Sequence, residues 1–417
     1  MIIGTPEITS GGGRVRLSAL IRPEKRRAAP ISLWFEFPER YASFLARRNE
    51  PFVAAAMAPA MVWGEDIEVR GPLSPKMAAG AAPYQAVYRG WAPDVYKPVA
   101  VRGGELLPSP PPPAPAAAAS FSGGIDSFFT LLTHGPGTAG PPADQIGYLL
   151  FIHGADIALA DRRTYLTALA AYERLAAELG LELIPAAINF RETALGDALP
   201  WSMSYGGAII AAALALGGRL TKFYMPSGFG YGYPFGHGSD PRLDHWLSTE
   251  SLEVVHDGSD FGRVAKTRAV ASFPPSYERL RVCWARPDGL RNCGRCEKCV
   301  RTMLTLDLLG ALPRYSTFPS GLKPDPARWL MKTPGELFMA EEIEDLAREQ
   351  GRPEVADRIA RDIVRCRRIQ AWADRAVRLS RLSGHPAGHL RHLVYYLCRR
   401  WPLPPAAAAS ASGPKNA

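Results

Sequence analysis

The sequence predicts an α/β protein: a parallel, doubly wound sheet with a cysteine-rich knuckle, preceded by a small α/β or α+β domain and followed by helices. Three observations carry this reading. Between residues 120 and 312, apolar runs such as "IGYLLFIHG", "LELIPAAIN" and "LTKFYMPSG" alternate with helical patterns such as "RRTYLTALAAYERLAAELG", the order that βαβ units impose. The stretch "LPSPPPPAPAAAA" (residues 107–119) reads as a linker ahead of that unit, since proline-rich chain is extended and exposed. Four cysteines gathered between residues 283 and 299 then close the unit.

Each part follows in order. Residues 1–106 alternate apolar and polar positions in "RVRLSALI" and "ISLWFEFP", as half-buried strands do. "YASFLARRNEPFVAAAMA" and "SPKMAAGAAPYQAVYRGW" are helical patterns, the first interrupted by Pro51. Residues 120–312 form the main α/β domain. Beyond it, residues 313–400 are helical ("AEEIEDLAREQ", "EVADRIARDIVRCRRIQAWADRAVRL"), and 401–417 compose a tail that reads as disordered. At 417 residues the chain exceeds one ordinary core, so two or three domains are expected.

Composition narrows the class. Hydrophobic content of 47% and charged content of 21% fit a globular protein. No apolar run has the length of a membrane span and no signal-peptide layout opens the chain. "ALPWSMSYGGAIIAAALALGG" comes nearest, but Ser202, Ser204, Tyr205 and its glycines mark a buried helix. A cytoplasmic protein without membrane contact is expected. The net charge of +9 gathers after residue 350, where 13 Arg and Lys face 4 Asp and Glu. That basic segment is a candidate contact for RNA or an acidic protein partner, although arginine-rich helix surfaces are commonly just solvated.

The chemistry centres on "SFSGGIDS", residues 120–127. Two glycines let the backbone curl so that successive N–H groups face one spot. Ser122 and Ser127 add hydroxyls, and the run "FFTLL" after them starts a helix whose positive end faces the same place. This is a phosphate cradle without the Lys-Ser/Thr of the Walker type. Asp126 beside phosphate calls for a divalent cation between the two, which suits magnesium on pyrophosphate.

Cys283, Cys293, Cys296 and Cys299 give Cys-x9-Cys-x2-Cys-x2-Cys. Four such thiolates in a cytosolic chain form a closed, structural zinc site more often than disulfides. An iron–sulfur cluster and a redox pair are the alternatives. Cys366 and Cys398 lie in helical patterns and are expected to pack as small apolar groups.

The stretch "SFSGGIDS" resembles the signature of the PP-loop ATP pyrophosphatases, which have a Rossmann-like fold of the adenine nucleotide alpha hydrolase type. These enzymes cleave ATP between the α and β phosphates and attach AMP to an oxygen of the substrate. The resemblance implies that Ser122, Gly123, Gly124, Asp126 and Ser127 bind pyrophosphate and its magnesium, with Ser120, Phe121 and Ile125 in the same stretch. It places His153, at the end of "LLFIHGADI", near the adenosine, and Lys266 of "GRVAKTRAVA" on phosphate. Together with the four cysteines, the motif resembles the 7-cyano-7-deazaguanine synthase family. That family converts a 7-deazaguanine carboxylate, a queuosine-pathway intermediate, to its nitrile with ATP and ammonia.

The acceptor site is expected in "FYMPSGFGYGYPFGHGSDPRLDHWLSTES", residues 223–251, which begins at a strand end. Ser227, Phe229, Tyr231, Tyr233 and His237 supply aromatic and polar contacts for a planar heterocycle, and Asp240 and Asp244 supply carboxylates for its ring N–H groups. The aromatics serve equally to fill a gap beside the N-terminal domain. In "EVVHDGSDFGR", His256, Asp257 and Asp260 offer a second carboxylate near the phosphates, or simply a turn.

The reading is an ATP-dependent ligase or synthase that forms AMP and pyrophosphate, activating a carboxylate or amide oxygen for ammonia or an amine. Its cofactors are ATP, magnesium and zinc, its substrate is a small acid, and a homo-oligomer is expected. Two alternatives stand beside it: a sulfurtransferase acting on RNA, and a non-catalytic nucleotide-binding subunit.

Overall fold

The computed structural model describes residues 1–25, 29–233, 235–285, 288–320 and 333–382. The first part of the chain contributes β1 (Ile2–Ile3), β2 (Glu7–Gly11), β3 (Arg14–Arg22), β4 (Ile31–Pro38), α1 (Glu50–Trp63), β5 (Ile67–Leu73), α2 (Pro75–Trp91) and β6 (Val101–Leu106). There follow β7 (Ala116–Ser120), α3 (Ile125–His134), β8 (Ile146–His153), α4 (Arg162–Glu178) and β9 (Glu182–Ile188). Then come α5 (Ala194–Asp197), α6 (Trp201–Leu214), β10 (Leu220–Pro226), β11 (Glu253–Asp257) and α7 (Arg263–Ala271), and finally α8 (Glu297–Leu308), α9 (Pro334–Glu349) and α10 (Pro353–Leu382).

All eleven strands belong to one sheet, ordered β11-β10-β7-β8-β9-β4-β3-β1-β5-β6 with β2 beside β3. The pairings from β11 to β9 are parallel. The chain steps outward from β7 through β8 to β9, then returns to the other flank of β7 for β10 and β11. Strand order therefore reverses between β7 and β10, and an open parallel sheet leaves a crevice at the carboxyl ends of such a pair. The N-terminal strands continue this sheet without a break: β4 pairs antiparallel with β9 through Phe35↔Ile188 and Glu36↔Ala187. Asn189 stitches the junction, accepting the Trp34 N–H at 2.9 Å and donating to the Ser32 carbonyl at 2.8 Å.

Side chains alternate between two cores, as the two-residue period of a strand requires. Ala118, Leu150 and Ile184 join α1 and α6 on one face. Ala117, Ala119, Leu149 and Leu183 join α3, α4 and α8 on the other. The structure departs from the sequence expectation at residues 116–119 and at Pro51. Residues 116–119, expected to end the linker, belong to β7, the middle strand of the parallel part of the sheet. Their alanine run looks like low complexity, but covering a strand closely on both faces calls for small side chains, and Ala117, Ala118 and Ala119 are buried. Pro51 does not interrupt a helix but opens one, standing in the first turn of α1, where its missing N–H costs no hydrogen bond.

The apolar α6 is buried as expected. Helices α8, α9 and α10 share a third core around Val300, Leu304, Ile343 and Ile359, in which Cys366 is also buried. Cys398 and the tail 401–417 lie outside the described residues.

Candidate functional site

The turn after β7 lies at the reversal point. Gly123 has φ +76°, and a Cβ there would fall 1.8 Å from the Tyr172 hydroxyl oxygen, so only glycine fits. Phe121 is not turned toward a ligand: its ring packs edge-on against Phe128 and Tyr172. Ile125 is likewise core. The Ser122 Oγ accepts the Gly124 N–H at 3.3 Å, and Ser127 Oγ donates to the Gly124 carbonyl at 3.0 Å. What the turn presents is backbone, two serines and the amino end of α3.

Cations gather over this turn. Arg263 Nη1 lies 2.8 Å from Asp126 Oδ1, and Lys266 Nζ lies 3.6 Å from the same oxygen. Burial alone would raise the Asp126 carboxyl, but Arg263 and Lys266 outweigh it and hold it below the usual carboxylate range. Burial lowers the pKa of Lys266, against the pull of Asp126. Arg301, also buried, adds its charge to the field at Asp126. Arg281 is tied to the turn by its backbone, whose N–H donates to the Gly123 carbonyl at 2.8 Å, while its guanidinium lies beside the Tyr172 hydroxyl. The Nε atoms of Arg263, Arg281 and Arg301 are buried without a hydrogen-bond partner. Unpaired buried donors are costly, but the rest of these guanidinium groups is engaged: Arg263 pairs with Asp126, and Arg301 Nη1 lies 3.2 Å from Glu297 Oε1.

The expected acceptor loop encloses a cavity of about 230 Å³. Ser227, Phe229, Tyr231, Tyr233, His237 and Asp240 all line it. Phe229 and Tyr233 stack with ring centroids 3.9 Å apart. Burial pushes the His237 imidazole down to about 4, and its Nδ1 bonds the Tyr205 hydroxyl at 2.9 Å. Asp240 is forked by Arg242 at 2.7 and 2.8 Å, and Arg242 lies 5.4 Å over the Trp91 ring of α2. Asp244 does not line the cavity. Its carboxylate turns to His256, with Oδ2 2.6 Å from Nδ1.

Cavity and turn form one site. Lys266 Nζ, beside Asp126, donates to the Ser227 carbonyl at 2.6 Å, and Arg263 Nη2 donates to the Gly228 carbonyl at 2.9 Å. The same two cations thus hold both loops. From the C-terminal side, Phe338 of α9 meets Tyr233 edge-on at 5.8 Å, and Glu342 accepts the Val264 N–H at 2.9 Å.

The four cysteine sulfurs lie within 4.8 Å of one another. Cys293–Cys299 and Cys283–Cys296 are 3.8 and 4.0 Å apart, close to the ~3.8 Å edge of a tetrahedron with Zn–S bonds near 2.3 Å. The cluster can hold a metal ion such as zinc. Gly294, at φ +66°, makes the tight turn, and the N–H groups of Arg295 and Cys296 point at the Cys293 sulfur at 3.4 and 3.3 Å.

Comparison with protein-family models, curated proteins and solved structures gives no match.

Of the remaining expectations, His153 is not turned to the glycine turn. Its ring stacks on Tyr165 at 4.2 Å and its Nε2 pairs with the Ala158 carbonyl at 2.9 Å. Asp257 is committed to Thr130 and His134, at 2.5 and 2.7 Å, and Asp260 is exposed. The sequence reading missed Arg263, Arg281, Arg301, Arg242 and Ser239. Arg263 alone carried a signal, standing three residues before Lys266 and hence on the same helix face. Among the described residues no helix is long and apolar enough to cross a membrane.

Proposed function

We propose that this protein is an ATP-dependent adenylating enzyme of the PP-loop pyrophosphatase kind, with a Rossmann-like nucleotide-binding sheet. It joins AMP to a carboxylate or amide oxygen of a small planar acid and passes the activated group to ammonia or an amine. The observation that carries the reading is the pairing of Arg263 and Lys266 with Asp126 at the Gly123–Gly124 turn, within the field of the buried Arg301 and directly beside an aromatic cavity.

The residues suit this chemistry. The turn and the amino end of α3 cradle the leaving pyrophosphate, and Arg263 and Lys266 offset the charge it gains. Asp126 would be the carboxylate to hold a magnesium ion, which would neutralise phosphate charge further. Phe229 and Tyr233 orient a flat acceptor within reach of the α-phosphate, so positioning does much of the work. No protein nucleophile is needed. A metal at the four cysteines leaves no open coordination position, which suits a structural zinc. Such a metal would steady Arg281, two residues before Cys283, and Arg301, two after Cys299. A deazapurine carboxylate fits the aromatic walls and the resemblance to 7-cyano-7-deazaguanine synthases.

The test is a screen of heteroaromatic acids, including 7-carboxy-7-deazaguanine, with labelled ATP and magnesium. Acid-dependent AMP and pyrophosphate are expected. ADP and phosphate in their place would overturn the reading.

A further inference from the structure

Ser239, Asp244 and His256 have no part in the chemistry described so far. His256 stands at the carboxyl end of β11 and lines the cavity. Its side chain is 4% exposed and that of Asp244 is 1% exposed. Asp244 Oδ2 lies 2.6 Å from His256 Nδ1 and accepts the Ser239 hydroxyl at 2.6 Å. A carboxylate accepts and does not donate, so the proton in the Asp244–His256 bond sits on Nδ1. In the neutral ring this leaves the lone pair on Nε2, which has no hydrogen-bond partner among the described residues.

The trio is not a hydrolase triad. A serine nucleophile must give its proton to the imidazole nitrogen opposite the carboxylate. Here Ser239 lies on the Asp244 side, 3.2 Å from Nδ1, and serves to fix the carboxylate. What remains is an imidazole of set tautomer, held by a buried carboxylate, in the wall of a binding cavity.

We propose that His256, oriented by Asp244, is the general base for the second half of the reaction. This rests on the adenylation reading above. As the amine attacks, the C–N bond forms and the acyl C–O bond to AMP breaks, its electron pair leaving on AMP. The proton released from nitrogen goes to His256 Nε2 and then to water. Asp244 steadies the imidazolium in the meantime. Ammonia, which needs a base to lose its proton, depends on His256 more than a readily attacking nucleophile such as hydroxylamine does.

The experiment uses the full chain with ATP, magnesium and 7-carboxy-7-deazaguanine as the probe acid, alongside the panel above. Two activities are read: acid-dependent exchange of labelled pyrophosphate into ATP, which needs adenylation alone, and product formation from ammonia. His256→Gln should keep exchange within about threefold of wild type while the ammonia reaction falls roughly 10²–10⁴-fold, the range for losing a general base. Hydroxylamine should lose much less, and imidazole should partly restore the ammonia reaction to His256→Gly. Asp244→Asn should weaken the ammonia step while exchange persists. Equal loss of exchange and transfer in a His256→Gln protein that melts normally would overturn the base assignment. Absence of exchange in the wild type with every acid would instead overturn the adenylation reading, and the base role with it.

Discussion

At the scale of single residues, the glycine pair shows how differently neighbouring positions are constrained. Gly123 combines φ +76° with the Tyr172 hydroxyl oxygen 1.8 Å from where a Cβ would stand. Left-handed backbone costs an L-residue about 1–2 kcal/mol, and overpacking adds roughly 1–3 kcal/mol. Gly124 has φ −83°, and its hypothetical Cβ meets nothing closer than the Ser122 Oγ at 3.3 Å. Gly123→Ala should therefore lower the urea midpoint sharply, while Gly124→Ala should change it little. Equal, small shifts for both would contradict the packing described. The turn's glycines and serines were legible in the sequence because their meaning is local. Arg281 and Arg301 were not, because each reaches the turn from a distant element.

At the scale of elements, the cysteine knuckle is the hinge between chemistry and scaffold. Cys296 is the N-cap of α8, the helix that carries Arg301. Asn292 holds the Cys283 segment, its Oδ1 accepting the N–H groups of Val282 and Cys283 at 2.8 and 3.0 Å. Losing the metal should loosen both segments and so disperse the cations over the glycine turn. Purified protein is expected to carry about one zinc per chain. Cys296→Ala should lose it, together with roughly 4 kcal/mol or more of stability, the scale of a lost structural metal. Metal analysis by mass spectrometry and a melting curve read both, and a metal-free variant with unchanged melting would refute the role. The cysteine spacing made the cluster legible from sequence. The contribution of α9 was not: Phe338 and Glu342 sit in an ordinary amphipathic helix, and only packing against Tyr233 and Val264 brings them to the site.

At the scale of the whole molecule, the eleven-stranded sheet ties the first hundred residues to the site. β4 covers the edge of β9, and α1 packs on α6 within one shared core. Trp91 of α2 backs Arg242, and its ring closely approaches Gly236 in the aromatic loop. Deleting residues 1–106 would bare a strand edge and the apolar face of α6, a template for aggregation. The shortened chain is expected to be insoluble or aggregated on size exclusion. A soluble, well-folded monomer of residues 107–417 would show that the two halves are independent after all.

The sequence by itself determined the parts whose signal is local: the βαβ alternation, the glycine turn, the cysteine cluster and the aromatic loop. Each is encoded within a few residues by periodicity, backbone freedom or ligand spacing. Tertiary structure alone decided what pairs with what. It turned a string of alanines into the middle strand of the parallel part of the sheet, because only burial on both faces makes small side chains an asset. It also joined the N-terminal strands to the main sheet through β4 and β9, and turned Asp244 away from the cavity to hold His256. Those outcomes depend on contacts between residues far apart in the chain, which no short window of sequence records.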